Sequence, residues 1–207
     1  MTATTLAIGA VGLGLAVHLL AEASGWPVAR AASKAAASAA LVVLGLAAST
    51  GGRYAHLVVA GLLLSAAGDV LLLSSRERAF LAGIGSFLVA HVAYAAAFAP
   101  AARVSLPVAG LLSLAAVGIV AWLWPHLGKF RIPVVVYALA ITAMLVLALG
   151  VASPIVRAGA LLFYLSDLTV ARDRFVHRAF GNRLVGLPLY YAGQVLLALS
   201  AAGGPEA

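Results

Sequence analysis

Cysteine is absent from all 207 residues, which removes both disulfides and thiol nucleophiles from consideration. Charge is almost as scarce: Asp, Glu, Lys and Arg make up 9% of the chain, against roughly 25% in a soluble domain. So few charges cannot keep a water-facing surface wet. Catalytic signatures are missing too. There is no His-Glu-x-x-His pair, no Gly-x-Ser-x-Gly elbow, no Walker loop and no dinucleotide fingerprint. The five histidines (18, 56, 91, 126 and 177) are scattered along the chain. A zinc site needs about three converging ligands, so no metal is expected.

What remains is apolar. Hydrophobic residues form 64% of the chain and the mean hydropathy is +1.11. Lipid-facing surface must be of this kind, and in lipid the backbone must satisfy itself within helices or closed barrels. A spanning helix needs about 20 mostly apolar residues. The runs predict an all-α polytopic bundle in one domain, residues 1–207. Its eight spans lie near 4–21, 31–48, 54–73, 79–98, 104–124, 132–150, 155–172 and 184–202. Gly and Pro clusters such as Ser24-Gly25-Trp26-Pro27, Gly51-Gly52 and Ser153-Pro154 mark the breaks. No Lys or Arg precedes Arg30, so the first run reads as a helix of the mature chain rather than a leader.

The net charge of +7 would hint at nucleic acid in a soluble protein. Here the basic residues sit at helix ends and set orientation, so no nucleic-acid partner is expected. The odd-numbered loops and their flanks hold ten of the Lys and Arg residues: Arg30, Lys34, Arg76, Arg78, Lys129, Arg131, Arg172, Arg174, Arg178 and Arg183. The even-numbered loops hold three, Arg53, Arg103 and Arg157. The positive-inside rule then puts the odd loops in the cytoplasm, with the chain in a bacterial cell membrane.

Ionisable groups inside spans cost a few kcal/mol each and mark functional sites by default. Asp69 lies near the end of span three, Asp167 near the end of span seven, and Lys34 enters span two from the same edge. At 1.5 Å per residue both carboxyl groups lie roughly 6–8 Å below that edge. Their surroundings are alike: Gly61 precedes Asp69 by eight residues, and Gly159 precedes Asp167 by eight. A weak internal repeat of spans 2–4 and 6–8 is one explanation, and membrane proteins often place sites between such halves.

Further polar groups share these faces. Ser65 is one turn from Asp69. Span four carries a stripe of Gly83, Phe87, His91, Tyr94 and Phe98, and span eight one of Leu187, Tyr190, Tyr191 and Gln194. Tyr137 reaches aspartate depth on span six. Each has a plainer reading. Lys34 alone is a snorkelling anchor, His91 a hydrogen-bonded core histidine, and the tyrosines packing residues. The Arg172 to Arg183 cluster is a topology signal, or a site for lipid phosphate.

The ordered set has a familiar look. Lys34 in helix two is followed by Ser65-x-x-Gly68-Asp69, Phe80-x-x-Gly83 and Phe87-x-x-x-His91-x-x-Tyr94. Then come Gly159 with Ser166-Asp167, and Tyr190-Tyr191-x-x-Gln194. This set resembles the YhhN family of integral membrane proteins, whose animal members are lysoplasmalogenases, over roughly residues 30–200. One departure is Ala35, where family members often carry proline. The resemblance implies hydrolysis of the vinyl ether of a lysophospholipid, a lysoplasmalogen, to a fatty aldehyde and glycerophospho-ethanolamine or -choline, with no metal or cofactor. Asp69 and Asp167 are then the catalytic pair. Lys34, Ser65, His91, Tyr94, Tyr137, Tyr190, Tyr191 and Gln194 are the candidates for binding substrate, alongside contacts to membrane lipids. The chemistry suits two carboxyl groups, one delivering a proton to the vinyl β-carbon and one activating water. Two other classes stay open. Gly68-Asp69 echoes intramembrane aspartyl proteases, and buried aspartates with a lysine also suit a lipid-binding or transport protein without chemistry.

Overall fold

Each apolar run is bounded by residues that end helices. Thr2 caps the first helix by accepting the Thr5 N–H at 3.2 Å, and Gly25 closes it in the left-handed region at φ 68°. Pro27, Pro107 and Pro154 open later helices in their first turns, where the missing N–H costs nothing. The computed structural model describes residues 2–204, and among them all regular structure is helical. The eight long helices are α1 (Ala3–Ser24), α2 (Pro27–Ala48), α3 (Gly52–Leu71), α4 (Glu77–Phe98), α5 (Leu106–Leu127), α6 (Arg131–Gly150), α7 (Pro154–Ala171) and α8 (Phe180–Ser200).

Six segments are long and apolar enough to cross a membrane, and the longest, Leu106–Gly150, contains both α5 and α6. It folds back at Gly128, which takes a φ of 50° that favours glycine. At the far end the Arg103 N–H donates to the Gly150 carbonyl at 2.9 Å, joining the start of α5 to the end of α6. α8 falls outside this set on composition, and its polar residues Asn182, Tyr190, Tyr191 and Gln194 are all buried. The chain is an integral multi-pass membrane protein.

Three boundaries differ from the sequence expectation. α2 begins at Pro27 rather than near 31, because proline fits the first turn. α5 runs through Pro125 to Leu127. The expected basic loop 172–183 is largely ordered: α7 widens into a π-helical turn over Arg172–Val176, and α8 starts at Phe180. The turn is held because Asp173 accepts the Ala179 N–H at 3.0 Å and an Asn182 side-chain N–H at 3.2 Å.

Two helix pairs are sealed by glycine. A Cβ on Gly61 would lie 2.6 Å from the Tyr94 ring, and one on Gly68 2.6 Å from Phe87, so α3 and α4 touch closely. A Cβ on Gly159 would lie 3.0 Å from the Gly193 carbonyl oxygen, which brings α7 against α8. Small residues at such seams are how membrane helices approach without an aqueous hydrophobic drive.

The pairings repeat in the two halves. α2 packs on α3 and α6 on α7, while α2 reaches across to α8 and α4 reaches across to α6. The first helix of each three-helix set, α2–α4 and α6–α8, thus packs against the last helix of the other. α2 and α6 both start at the odd-numbered loops, which is the relation a parallel repeat would have, one of the two repeat geometries known in membrane proteins.

Candidate functional site

All eight helices contribute to one cavity of about 590 Å³, whose lining includes Lys34, Asp69, Tyr137, Ser166, Asp167 and Tyr190. Its rim is built from the odd-loop end of the bundle: Glu22, Arg30, Ser74, Arg174, Arg178 and Arg183 line it there. The size falls within the roughly 300–1,000 Å³ typical of small-molecule sites.

Asp69 ends α3 in an enclosed position, its side chain 3% exposed. Three donors converge on it. The Lys34 ammonium lies 3.0 Å from Oδ1. The Ser38 hydroxyl and the Tyr190 hydroxyl each donate to Oδ2 at 2.7 Å. A buried charge of either sign is tolerated when paired and hydrogen-bonded in this way. Lys34 is thus turned inward, 15% exposed, rather than snorkelling to the interface. Ser38 went unnoticed in the sequence. Its signal was there, since it follows Lys34 by four residues and so shares its face of an alanine-rich helix.

Asp167 is held differently. Its side chain is 16% exposed. Tyr137 donates to Oδ2 at 2.5 Å, and the His91 Nε2 stands 3.7 Å from the same oxygen, beyond hydrogen-bond distance. No other protein group described here bonds to this carboxyl, so Oδ1 is left to the cavity. The two sites are related as the helices are. Each aspartate takes a partner from the first helix of its own half, Lys34 or Tyr137. Each is approached by a side chain from the last helix of the other half, Tyr190 or His91.

The other sequence candidates lie behind the cavity wall. Ser65, His91, Tyr94, Tyr191 and Gln194 do not line the cavity, and all five are buried. Tyr94, Gln194 and His91 belong to a supporting layer. Tyr94 donates to the Gln194 Oε1 at 2.7 Å. The His91 ring lies 4.6 Å from Phe163 and 5.2 Å, edge-on, from Tyr137. Phe163 in turn meets Phe87 at 6.2 Å and Tyr190 at 5.5 Å. This aromatic block fixes the rotamers of the tyrosines that hold the carboxyl groups.

At the rim, Glu22 of α1 accepts from Arg183 of α8 and faces Arg30 of α2 at 3.6 Å. Arg183 also reaches Asp173 at 3.4 Å. Arg172 donates to Asn182, and the Arg174 guanidinium stacks over Phe80 at 4.0 Å. Part of the basic 172–183 cluster therefore ties α1, α8 and the widened turn together. Glu22, the ion-pair centre here, was not a sequence candidate because a single acid at a helix end carries no pattern.

Residues 29–201 match the YhhN family. The chain belongs to this family. Relatives with curated names agree with that placement. A protein of Mycobacterium bovis named lysoplasmalogenase is 37% identical over 160 residues, covering 70% of this chain and 60% of the relative. The lysoplasmalogenase TMEM86B of Sus scrofa is 35% identical over 168 residues, covering 80% of this chain and 72% of the relative. That of Mus musculus is 37% identical over 172 residues, with the same coverage. The match thus spans less than two thirds of the mycobacterial relative. No solved structure matches the chain. The match to the YhhN family begins at α2, so α1, which supplies Glu22 and His18 to the cavity, lies outside it.

Proposed function

We propose that this YhhN-family chain is a lysoplasmalogenase, hydrolysing the vinyl ether of a lysoplasmalogen with Asp69 and Asp167. The observation that carries the reading is the pair of differently held carboxyl groups lining one cavity at the odd-loop end. A lysolipid keeps its headgroup at the interface and its chain in the core, so its vinyl ether lies just below the glycerol. Asp69 sits two residues, and Asp167 four, from the odd-loop ends of their helices. At 1.5 Å per residue those offsets are about 3 and 6 Å.

The reaction divides between them. Asp167, with Oδ1 free, delivers a proton to the vinyl β-carbon, and an oxocarbenium ion forms at the carbon bearing oxygen. Asp69, ion-paired to Lys34, is the carboxylate that opposes this positive charge and takes a proton from the water that adds to it. The product is a hemiacetal. Its carbon–oxygen bond to glycerol then breaks. The glycerol oxygen takes the proton held by Asp69, and the hemiacetal hydroxyl returns one to Asp167. One water is consumed, an aldehyde and an alcohol leave, and both carboxyl groups are reset. General acid–base catalysis of this kind contributes about 10²–10⁴-fold each.

The deciding experiment sets a vinyl-ether lysolipid beside its ester counterpart, with protein purified in detergent. Aldehyde release from the vinyl ether alone is expected. No aldehyde from folded protein overturns the proposal, and peptide cleavage in its place would point to a protease. The same reading places the odd loops, and the cavity rim, in the cytoplasm of a bacterial cell. Because the chain lacks cysteine, single cysteines report this cleanly. Ser75→Cys is expected to react only with membrane-permeant reagents in intact cells, and Ser105→Cys with impermeant ones.

A further inference from the structure

The cavity has a second border that faces sideways rather than toward the loops. α5 is the least buried helix, with only Leu123 and Leu127 enclosed. Those two pack at the odd-loop end against Val134, Phe175 and Val176. α5 otherwise rests on α6 and on the widened turn, not extensively on α7 or α8. A crevice of about 440 Å³ therefore separates α5 from α7 and α8. Four residues, Ile119, Leu168, Thr169 and Asn182, line both this crevice and the central cavity. The two spaces meet across these side chains.

The crevice is graded from polar to apolar. Its loop end carries Arg172 and Asn182, bonded to each other. Deeper in the bundle are Ile119, Trp122, Leu168 and Val185, with Trp122 and Val185 half-exposed on the membrane-facing surface. In water such an opening would be a liability. In a bilayer it gives hydrocarbon a route that never leaves an apolar medium, while a phosphate stays beside the arginine at the interface. The rim at the loops is a poor route for hydrocarbon, because Glu22, Arg30, Arg183 and Asp173 line it with charge in ion pairs.

We propose that the α5/α7–α8 crevice is a lateral portal that admits the hydrocarbon chain of a single-chain phospholipid from the bilayer into the aspartate cavity. The inference rests on the lysolipid reading above and adds the route and the residues that gate it. It commits to one occupant, an unbranched chain bearing an interfacial phosphate. The four side chains that line both spaces and the graded lining of the crevice argue for that occupant.

The test uses the full chain in phosphatidylcholine vesicles with a lysophospholipid carrying a diazirine near the end of its chain. After illumination, label is expected on residues 119–122 and 181–185 as well as on the cavity wall. Val185→Trp, which adds bulk at an exposed portal position without touching the aspartate partners, is expected to cut cavity labelling several-fold. Val185→Ala is expected to leave it intact, which separates blockage from misfolding. In turnover, Val185→Trp slows a long-chain lysolipid several-fold and leaves a short, water-soluble vinyl ether unchanged. Label confined to the loop rim, or cavity labelling unchanged by Val185→Trp, overturns the portal. Labelling does not need cleavage. Label in the crevice with no aldehyde from any substrate would therefore uphold the portal and overturn the hydrolase reading instead.

Discussion

The α2–α4 half and the α6–α8 half of this protein place an aspartate in the same way and then hold it differently. Both put glycine eight residues before the aspartate and seal its helix against the next one there. In the first half, Lys34, Ser38 and Tyr190 occupy the carboxyl group, and it is nearly closed off. In the second, Tyr137 alone bonds to it, and His91 stops short. The scaffold is shared, and a few side chains set how each carboxyl group is held: a lysine against a tyrosine, a tyrosine against a histidine. Two halves of this kind bring two carboxyl groups to one cavity at the same end of the bundle, and their asymmetry leaves one ion-paired and enclosed and the other open to the cavity.

The sharpest way to break that comparison is to neutralise each carboxyl in turn. Asp69→Asn and Asp167→Asn are each expected to lower aldehyde turnover by at least about a hundredfold. The double variant should be little worse than the weaker single one, because residues that act as a unit are not additive. Near-normal turnover in either folded variant would reduce that aspartate to a structural role.

The next largest difference should appear in stability. Lys34→Ala leaves the enclosed Asp69 carboxylate with hydroxyl partners only, and breaking a buried ion pair from one side costs about 3–5 kcal/mol. Unfolding in detergent measures this directly. Asp167 has no lysine to lose, so Tyr137→Phe should cost clearly less in the same measurement.

In turnover the tyrosines should reverse that order. Tyr137→Phe removes the one hydrogen bond Asp167 receives, worth about 0.5–1.5 kcal/mol while the carboxyl is neutral and about 1.5–3 kcal/mol once its proton has left. Tyr190→Phe leaves Lys34 and Ser38 in place on Asp69, so its loss in turnover should be several times smaller. Equal losses would mean that the two sites are held with equal redundancy.

The smallest effects test the shared scaffold. Gly61→Ala meets the buried Tyr94 ring and Gly159→Ala meets the Gly193 carbonyl. Each is expected to cost about 1–3 kcal/mol by overpacking, seen as lowered thermal stability in detergent. A cost in one half alone would show that only that seam is under close-packing constraint.

The eight helices were readable in the chain because bilayer thickness and backbone hydrogen bonding leave few alternatives to apolar runs of the right length. Asp69, Asp167 and Lys34 stood out for a related reason, since charge inside a span is costly enough to be rare. The boundary at Arg172–Val176 was not readable. Its charges look like a loop, and they are ordered only because Asp173 and Asn182 find backbone and side-chain partners across the turn. Helical spacing also grouped Ser65, His91, Tyr94, Tyr191 and Gln194 with the cavity, whereas they stand behind it. A stripe of polar residues marks the inward face of a helix but says nothing about which layer of the interior that face meets.

Which partners each aspartate has, and which side chains share the cavity, depends on contacts between helices as far apart as Tyr190 and Asp69. Those contacts are set by where glycine lets two helices approach and where α5 stands away from α7 and α8. Local propensity and hydropathy fix that a helix exists and how deep each residue lies along it. Rotation and lateral placement come from side-chain packing among all eight helices at once, and so the asymmetry of the two carboxyl sites emerged only in the folded bundle.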